Sequence, residues 1–125
     1  SGRKITQFKY DYADSFSEGL AVVGINGKYG YINRTGREII PLKYNYASDF
    51  SEGLAPVELN DKFGYINKEG EVIIPFNYDY AWDFKDGCAQ VKLNKRIFYI
   101  DSIGNEYVSR FKKTKINLES LINSK

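Results

Sequence analysis

The chain has no histidine and no methionine, a single cysteine, three prolines and one tryptophan among its 125 residues. Without histidine, a histidine-based nucleophilic triad and a histidine metal site are excluded. A lone thiol, Cys88, rules out an internal disulfide framework. No apolar run approaches the length of a membrane-spanning helix, so no membrane insertion is expected. The net charge is only +2, and it is unevenly spread. Residues 110–125 carry five basic side chains and one acidic one, while the remainder is slightly acidic. There is no basic body to grip a nucleic-acid backbone, so nucleic acid is not an expected partner.

What the chain does have is repetition. Tyr10, Tyr44 and Tyr78 recur at a period of 34, as do Tyr12, Tyr46 and Tyr80, and Phe16, Phe50 and Phe84. Gly19, Gly53 and Gly87 follow, then Tyr31, Tyr65 and Tyr99, then Gly36, Gly70 and Gly104. Three units result, 8–41, 42–75 and 76–109, within a single repeat domain spanning 1–125. Residues 1–7 read as an incomplete unit, because Ile5 aligns with Ile39 and Ile73. The first two units agree at 21 of 34 positions and the last two at 13, so the third has drifted.

A 34-residue period also suits helical repeats, but glycine twice per unit and a closing proline would break such helices. The local hydrophobic period is nearer two, which indicates strands. Leu20 to Ile25 reads as a strand, Asn26-Gly27 as a tight hairpin turn, and Lys28 to Asn33 as the return strand. Asn33-Arg34-Thr35-Gly36 reads as a turn with left-handed glycine, despite fitting a glycosylation sequon. Arg37 to Ile40 forms a third strand closed by Pro41. The link from Lys43 to Gly53 is expected to hold turns or one helical turn. Adjacent residues Tyr31 and Ile32 recur together, which implies burial on both sheet faces. The expected fold is therefore all-β. Tandem 34-residue β-meander repeats stack as a short solenoid-like array, with a closed three-fold barrel as the alternative. Asn117, Leu118, Leu121 and Ile122 predict a short helix over 117–124, read as the cap of a C-terminal segment 110–125.

The stretch from Glu18 to Phe50 resembles the bacterial WG-containing repeat, also called the KWG repeat. Glu18-Gly19-Leu20-Ala21 and Glu52-Gly53-Leu54-Ala55 are the anchors. The family's tryptophan position is held by Tyr29, Phe63 and Ile97, and its glycine by Gly30, Gly64 and Phe98. The resemblance implies a repeat scaffold with no common catalytic activity.

Candidate chemistry is sparse. Cys88 replaces Leu20 and Leu54, which suits a small core residue. Asp14, Glu18, Asp49, Glu52, Asp83 and Asp86 recur near the glycine without the tight alternate spacing calcium favours. They read as solvated turn carboxylates. Lys28, Lys62 and Arg96 read as guards of an exposed strand. The basic tail reads as a solvated linker. Tyr10, Tyr12 and their repeats read as packing residues. No catalytic, metal or cofactor-binding residue is assigned, and the chain reads as a non-enzyme without cofactors.

The expected function is protein recognition through positions that the repeat leaves variable: Trp82, Lys92 and Lys95 in the third unit, Glu58 and Asp61 in the second. Trp82 replaces Asp14 and Ser48, so it reads either as an exposed anchor or as a support for the cap. The alternative is glycan or cell-wall binding through Tyr29 and Tyr31 of the hairpins, which requires those rings to be exposed. Exposed strand edges offer a route to a homo-oligomer. The composition assigns no compartment.

Overall fold

A computed structural model describes residues 9–109. The hairpin periodicity resolves into twelve strands among the described residues. The first sheet contains β1 (Tyr12–Ala13), β2 (Ala21–Ile25), β3 (Lys28–Ile32) and β4 (Glu38–Tyr44). The second contains β5 (Tyr46–Ala47), β6 (Ala55–Leu59), β7 (Lys62–Ile66) and β8 (Val72–Tyr78). The third contains β9 (Tyr80–Ala81), β10 (Cys88–Leu93), β11 (Arg96–Asp101) and β12 (Glu106–Tyr107). Each is an antiparallel sheet with its strands in chain order, and none closes on itself.

The expected stacking of the repeats is corrected here. A solenoid-like array would carry its β-ladders from one repeat to the next, and the closed barrel would join its edges. Here every ladder stays within its own four strands, so the described residues form three separate sheets. The expected helical cap, 110–125, lies outside the described residues. The link from Lys43 to Gly53 holds no helical turn. It contains β5 and a second tight hairpin, bridged between Ser51 and Leu54.

Pro41 and Pro75 do not close the third strand either. They sit inside β4 and β8, which are edge strands, where a missing N–H leaves no ladder bond unmade. The chain then passes to the next sheet through a single residue, Asn45 or Asp79. Its amide already belongs to that sheet, bonding the Glu58 or Lys92 carbonyl at 2.9 and 2.8 Å.

The expected two-sided burial of Tyr31 and Ile32 is observed. Leu20, Val22, Tyr31 and Ile40 of the first unit pack against Tyr44, Phe50, Ala55, Val57 and Ile66 of the second. Leu54, Phe63, Tyr65 and Ile74 of the second unit pack likewise against Tyr78, Phe84, Ala89, Val91 and Ile100 of the third. The core thus lies between successive sheets, and the second sheet is buried on both faces.

Polar groups join the sheets at the same offsets. Tyr31 Oη donates to the Ser48 carbonyl at 2.5 Å, and Tyr65 Oη to the Trp82 carbonyl at 2.6 Å. Ser17 Oγ donates to the Phe50 carbonyl at 2.8 Å, and Ser51 Oγ to the Phe84 carbonyl at 2.6 Å. The Glu52 and Gly53 amides donate to the Glu18 carboxylate at 2.7 and 2.9 Å. The Asp86 and Gly87 amides donate to the Glu52 carboxylate at 2.6 and 2.9 Å. Two of the turn carboxylates expected to be solvated are therefore inter-sheet links.

This arrangement accounts for a costly backbone. Glu18, Glu52 and Asp86 adopt φ of 53°, 55° and 54°, a region that ordinary side chains avoid. With the following glycine they form a two-residue turn with both φ positive, whose two N–H groups lie on one side.

Burial pushes the Glu18 carboxyl up, but the Gly53 and Glu52 amides and Lys68 outweigh it and hold it below its ordinary 4.5. Its stabilisation is thus fully present above pH 4.5 and is lost as pH falls through the lower folded value. Glu18→Gln is expected to cost about 1 kcal/mol at pH 7, the charged hydrogen bonds being discounted for exposure. In urea titrations at neutral and at acid pH, the deficit should shrink progressively as pH falls below 4.5. A deficit equally large at both pH values would show that the charge is not what matters.

Candidate partner-binding surface

The first strand of each sheet is a two-residue edge strand, and its tyrosine faces outward. Tyr12 is 45% exposed and Tyr46 38% exposed, and Tyr80 is half-buried. This splits the two tyrosine series that the sequence treated alike. Tyr44 and Tyr78 are core residues, whereas Tyr12, Tyr46 and Tyr80 form a series at equivalent places on the first strands of the three sheets. The bend at Asn45 or Asp79 reverses the facing between the paired tyrosines.

At the third sheet the series gains a second ring. Trp82 is 40% exposed. Its amide donates to the Gln90 carbonyl at 3.0 Å, and its own carbonyl accepts the Tyr65 hydroxyl. The backbone is therefore pinned on both sides while the indole stays partly open to solvent. The indole meets Tyr80 edge-to-face at 4.6 Å, and Tyr80 meets Phe63 at 4.7 Å. This anchors the exposed ring to the core through aromatic contacts.

Trp82 separates two concavities. One, of about 700 Å³, is lined by Asp79, Tyr80, Trp82, Lys92, Asn94 and Lys95. The other, of about 350 Å³, lies towards Tyr46, Ser48 and Asp83. Asp79 is committed on both oxygens. Lys62 Nζ pairs with Oδ1 and the Asn94 amide donates to Oδ2 at 2.9 Å. The Lys62 bond, then the Asn94 amide, hold its carboxyl below the usual range. Lys92 stands opposite Tyr80 across the ladder, and Lys95 occupies the hairpin turn at φ 69°.

Of the five residues expected to meet a partner, the structure gathers Trp82, Lys92 and Lys95 around one cleft. Glu58 and Asp61 do not line it. They hold the equivalent positions one unit earlier, with Glu58 opposite Tyr46. Sequence reasoning missed Tyr80, Asp79 and Asn94. The signal for Tyr80 was present, since it lies two residues from the variable Trp82 on the same short edge.

The hairpin tyrosines proposed for glycan binding are not available. Tyr31 is fully buried, and Tyr29 is half-buried with its ring over Gly24. Cys88 is buried, as expected of a core residue. Among the described residues no group of three His, Cys, Asp or Glu side chains can hold a metal ion. Among them, too, no helix is long and apolar enough to cross a membrane.

The model of the WG-containing repeat matches residues 1–29, 29–63 and 63–96 in succession. The chain belongs to the WG-containing repeat family. No curated protein and no solved structure matches it significantly. In this WG-repeat chain the aromatic-glycine pair is explained by a close crossing. A Cβ on Gly30 would lie 2.4 Å from the Ile40 carbonyl oxygen, and one on Gly64 2.5 Å from that of Ile74. The third WG unit has Phe98 there, and its fourth strand is only two residues long. Phe98 instead turns inward, edge-on to Tyr78 at 6.1 Å. The family and the fold are those of a β-repeat scaffold consistent with a non-catalytic interaction module.

Proposed function

We propose that the chain is a non-catalytic recognition module that binds another protein through the cleft beside Trp82. The observation that carries this reading is the placement of Trp82. It is a large exposed ring on a rigidly held backbone, at a position the other units fill with Asp14 or Ser48. Tryptophan is enriched among the residues that dominate binding energy. Lys92 and Lys95 on the same cleft favour a partner segment carrying acidic groups beside an apolar side chain. Lysines at the rim act mainly on association rate and salt dependence.

The test uses the native chain to retain a stoichiometric protein from its source organism, followed by affinity measurements on that protein. Trp82→Ala is expected to weaken binding about 30-fold or more, the scale of a hot-spot residue. Lys92→Glu with Lys95→Glu is expected to slow association and reduce its dependence on salt. Unchanged affinity in Trp82→Ala would sink the proposed site. Retention of cell-wall material with no protein would favour glycan binding along Tyr12, Tyr46 and Trp82.

A further inference from the structure

We infer that the Glu18–Gly19 turn of the first sheet, with Arg34 beside it, binds the side-chain carboxylate of a glutamate from another polypeptide segment. The chain builds this site three times and fills two of them itself. The Glu52 and Gly53 amides hold the Glu18 carboxylate, and the Asp86 and Gly87 amides hold that of Glu52. In both, each carboxylate oxygen takes one amide. The first turn has the same backbone. Its φ values are 53° and 85°, against 55° and 80° at Glu52-Gly53 and 54° and 83° at Asp86-Gly87. Yet the Glu18 and Gly19 amides make no hydrogen bond among the described residues. Two parallel N–H groups without an acceptor form an anion-binding concavity.

A cation completes the site. Lys68 Nζ stands 3.5 Å from Glu18 Oε1, beside the filled Glu52–Gly53 turn. The equivalent residue of the first unit is Arg34, whose guanidinium lies over the Phe16 ring at 4.9 Å. The third unit has Ser102 there. The first turn therefore carries a full charge complement, and arginine is the cation best shaped for a carboxylate.

The filled sites also specify what should precede the glutamate. Ser17 and Ser51 reach across to the Phe50 and Phe84 carbonyls next to those turns. The matching acceptor in the first unit is the Phe16 carbonyl. The ligand is therefore a serine-glutamate pair presented on a tight turn, the serine donating to Phe16 and the glutamate accepting from Glu18, Gly19 and Arg34. This site lies in the first unit and is independent of the Trp82 cleft.

The probe is a backbone-cyclised hairpin peptide containing Phe-Ser-Glu-Gly-Leu, titrated into the full ¹⁵N-labelled chain. The Glu18 and Gly19 amide signals should move saturably, while those of Glu52, Gly53, Asp86 and Gly87 stay in place because their acceptors are already bound. The same peptide with glutamine for glutamate should bind at least tenfold more weakly. Arg34→Gln should weaken the glutamate peptide several-fold and leave the melting temperature unchanged. The inference is overturned if the glutamine peptide binds equally well, if all six amides move together, or if Glu18 and Gly19 do not respond at millimolar peptide.

Discussion

Gly64→Ala is expected to destabilise the chain by about 3 kcal/mol, enough to lower the melting temperature by roughly 10 °C. The reason is steric and local. The added Cβ would sit 2.5 Å from the Ile74 carbonyl oxygen and 2.9 Å from the Pro75 carbonyl carbon. Both are backbone atoms of β8, which cannot turn aside without shifting the strand. Gly24→Ala provides the comparison. Its Cβ would meet the Tyr29 ring at 2.6 Å, but a half-buried side chain can rotate away. Thermal melts should therefore show a much smaller loss for Gly24→Ala. Equal losses would refute the close-crossing account of the aromatic-glycine pair. The same crossing explains why the third unit tolerates Phe98, since β12 ends before it would reach that side chain.

Tyr65→Ala should be costlier still, at about 4 kcal/mol. Tyr65 is fully buried in the middle sheet, and its ring meets Phe84 edge-on at 4.9 Å. Its hydroxyl holds the Trp82 carbonyl. Removing it opens a cavity between the second and third sheets and leaves a carbonyl without its donor. Tyr65→Phe separates the two contributions. It keeps the ring and loses only the hydrogen bond, at about 1 kcal/mol. Burial raises the Tyr65 phenol far above its ordinary pKa of 10.0, so the hydroxyl remains a donor throughout the neutral range. Chemical denaturation of the three proteins checks the order. A Tyr65→Phe loss as large as that of Tyr65→Ala would place the energy in the hydrogen bond and not in the packing.

The strands of each hairpin were legible because their signals are local. Asn26-Gly27 announces a turn with two positive φ values, and both residues adopt them. Asn33 announces a side-chain-stabilised turn, and its Oδ1 accepts the Thr35 and Arg37 amides. The Glu-Gly turn was hidden because glutamate is a poor choice for φ near +54° when judged alone. Its compensation lies 34 residues away, in the amides that its carboxylate receives. Pro41 reads as a terminator because nothing local distinguishes an edge strand from a strand end. The separate-sheet architecture was illegible for a related reason. Period-two patterning fixes which face is buried, but not whether a ladder crosses from one repeat to the next. At the candidate site, the odd residue in the alignment, Trp82, was found by comparison among units. Tyr80 and Asp79 were not, because nothing about them stands out in such a comparison.

The single-residue passages at Asn45 and Asp79 give the molecule the character of a ruler. A partner lying along Tyr12, Tyr46 and Tyr80 would meet one equivalent graduation per sheet and three nearly degenerate registers. The residues beside them break that degeneracy. Opposite the successive tyrosines stand Gly24, Glu58 and Lys92, so the marks read neutral, acidic and basic. An acidic ligand seated beside Lys92 and displaced by one graduation to Glu58 would exchange attraction for repulsion.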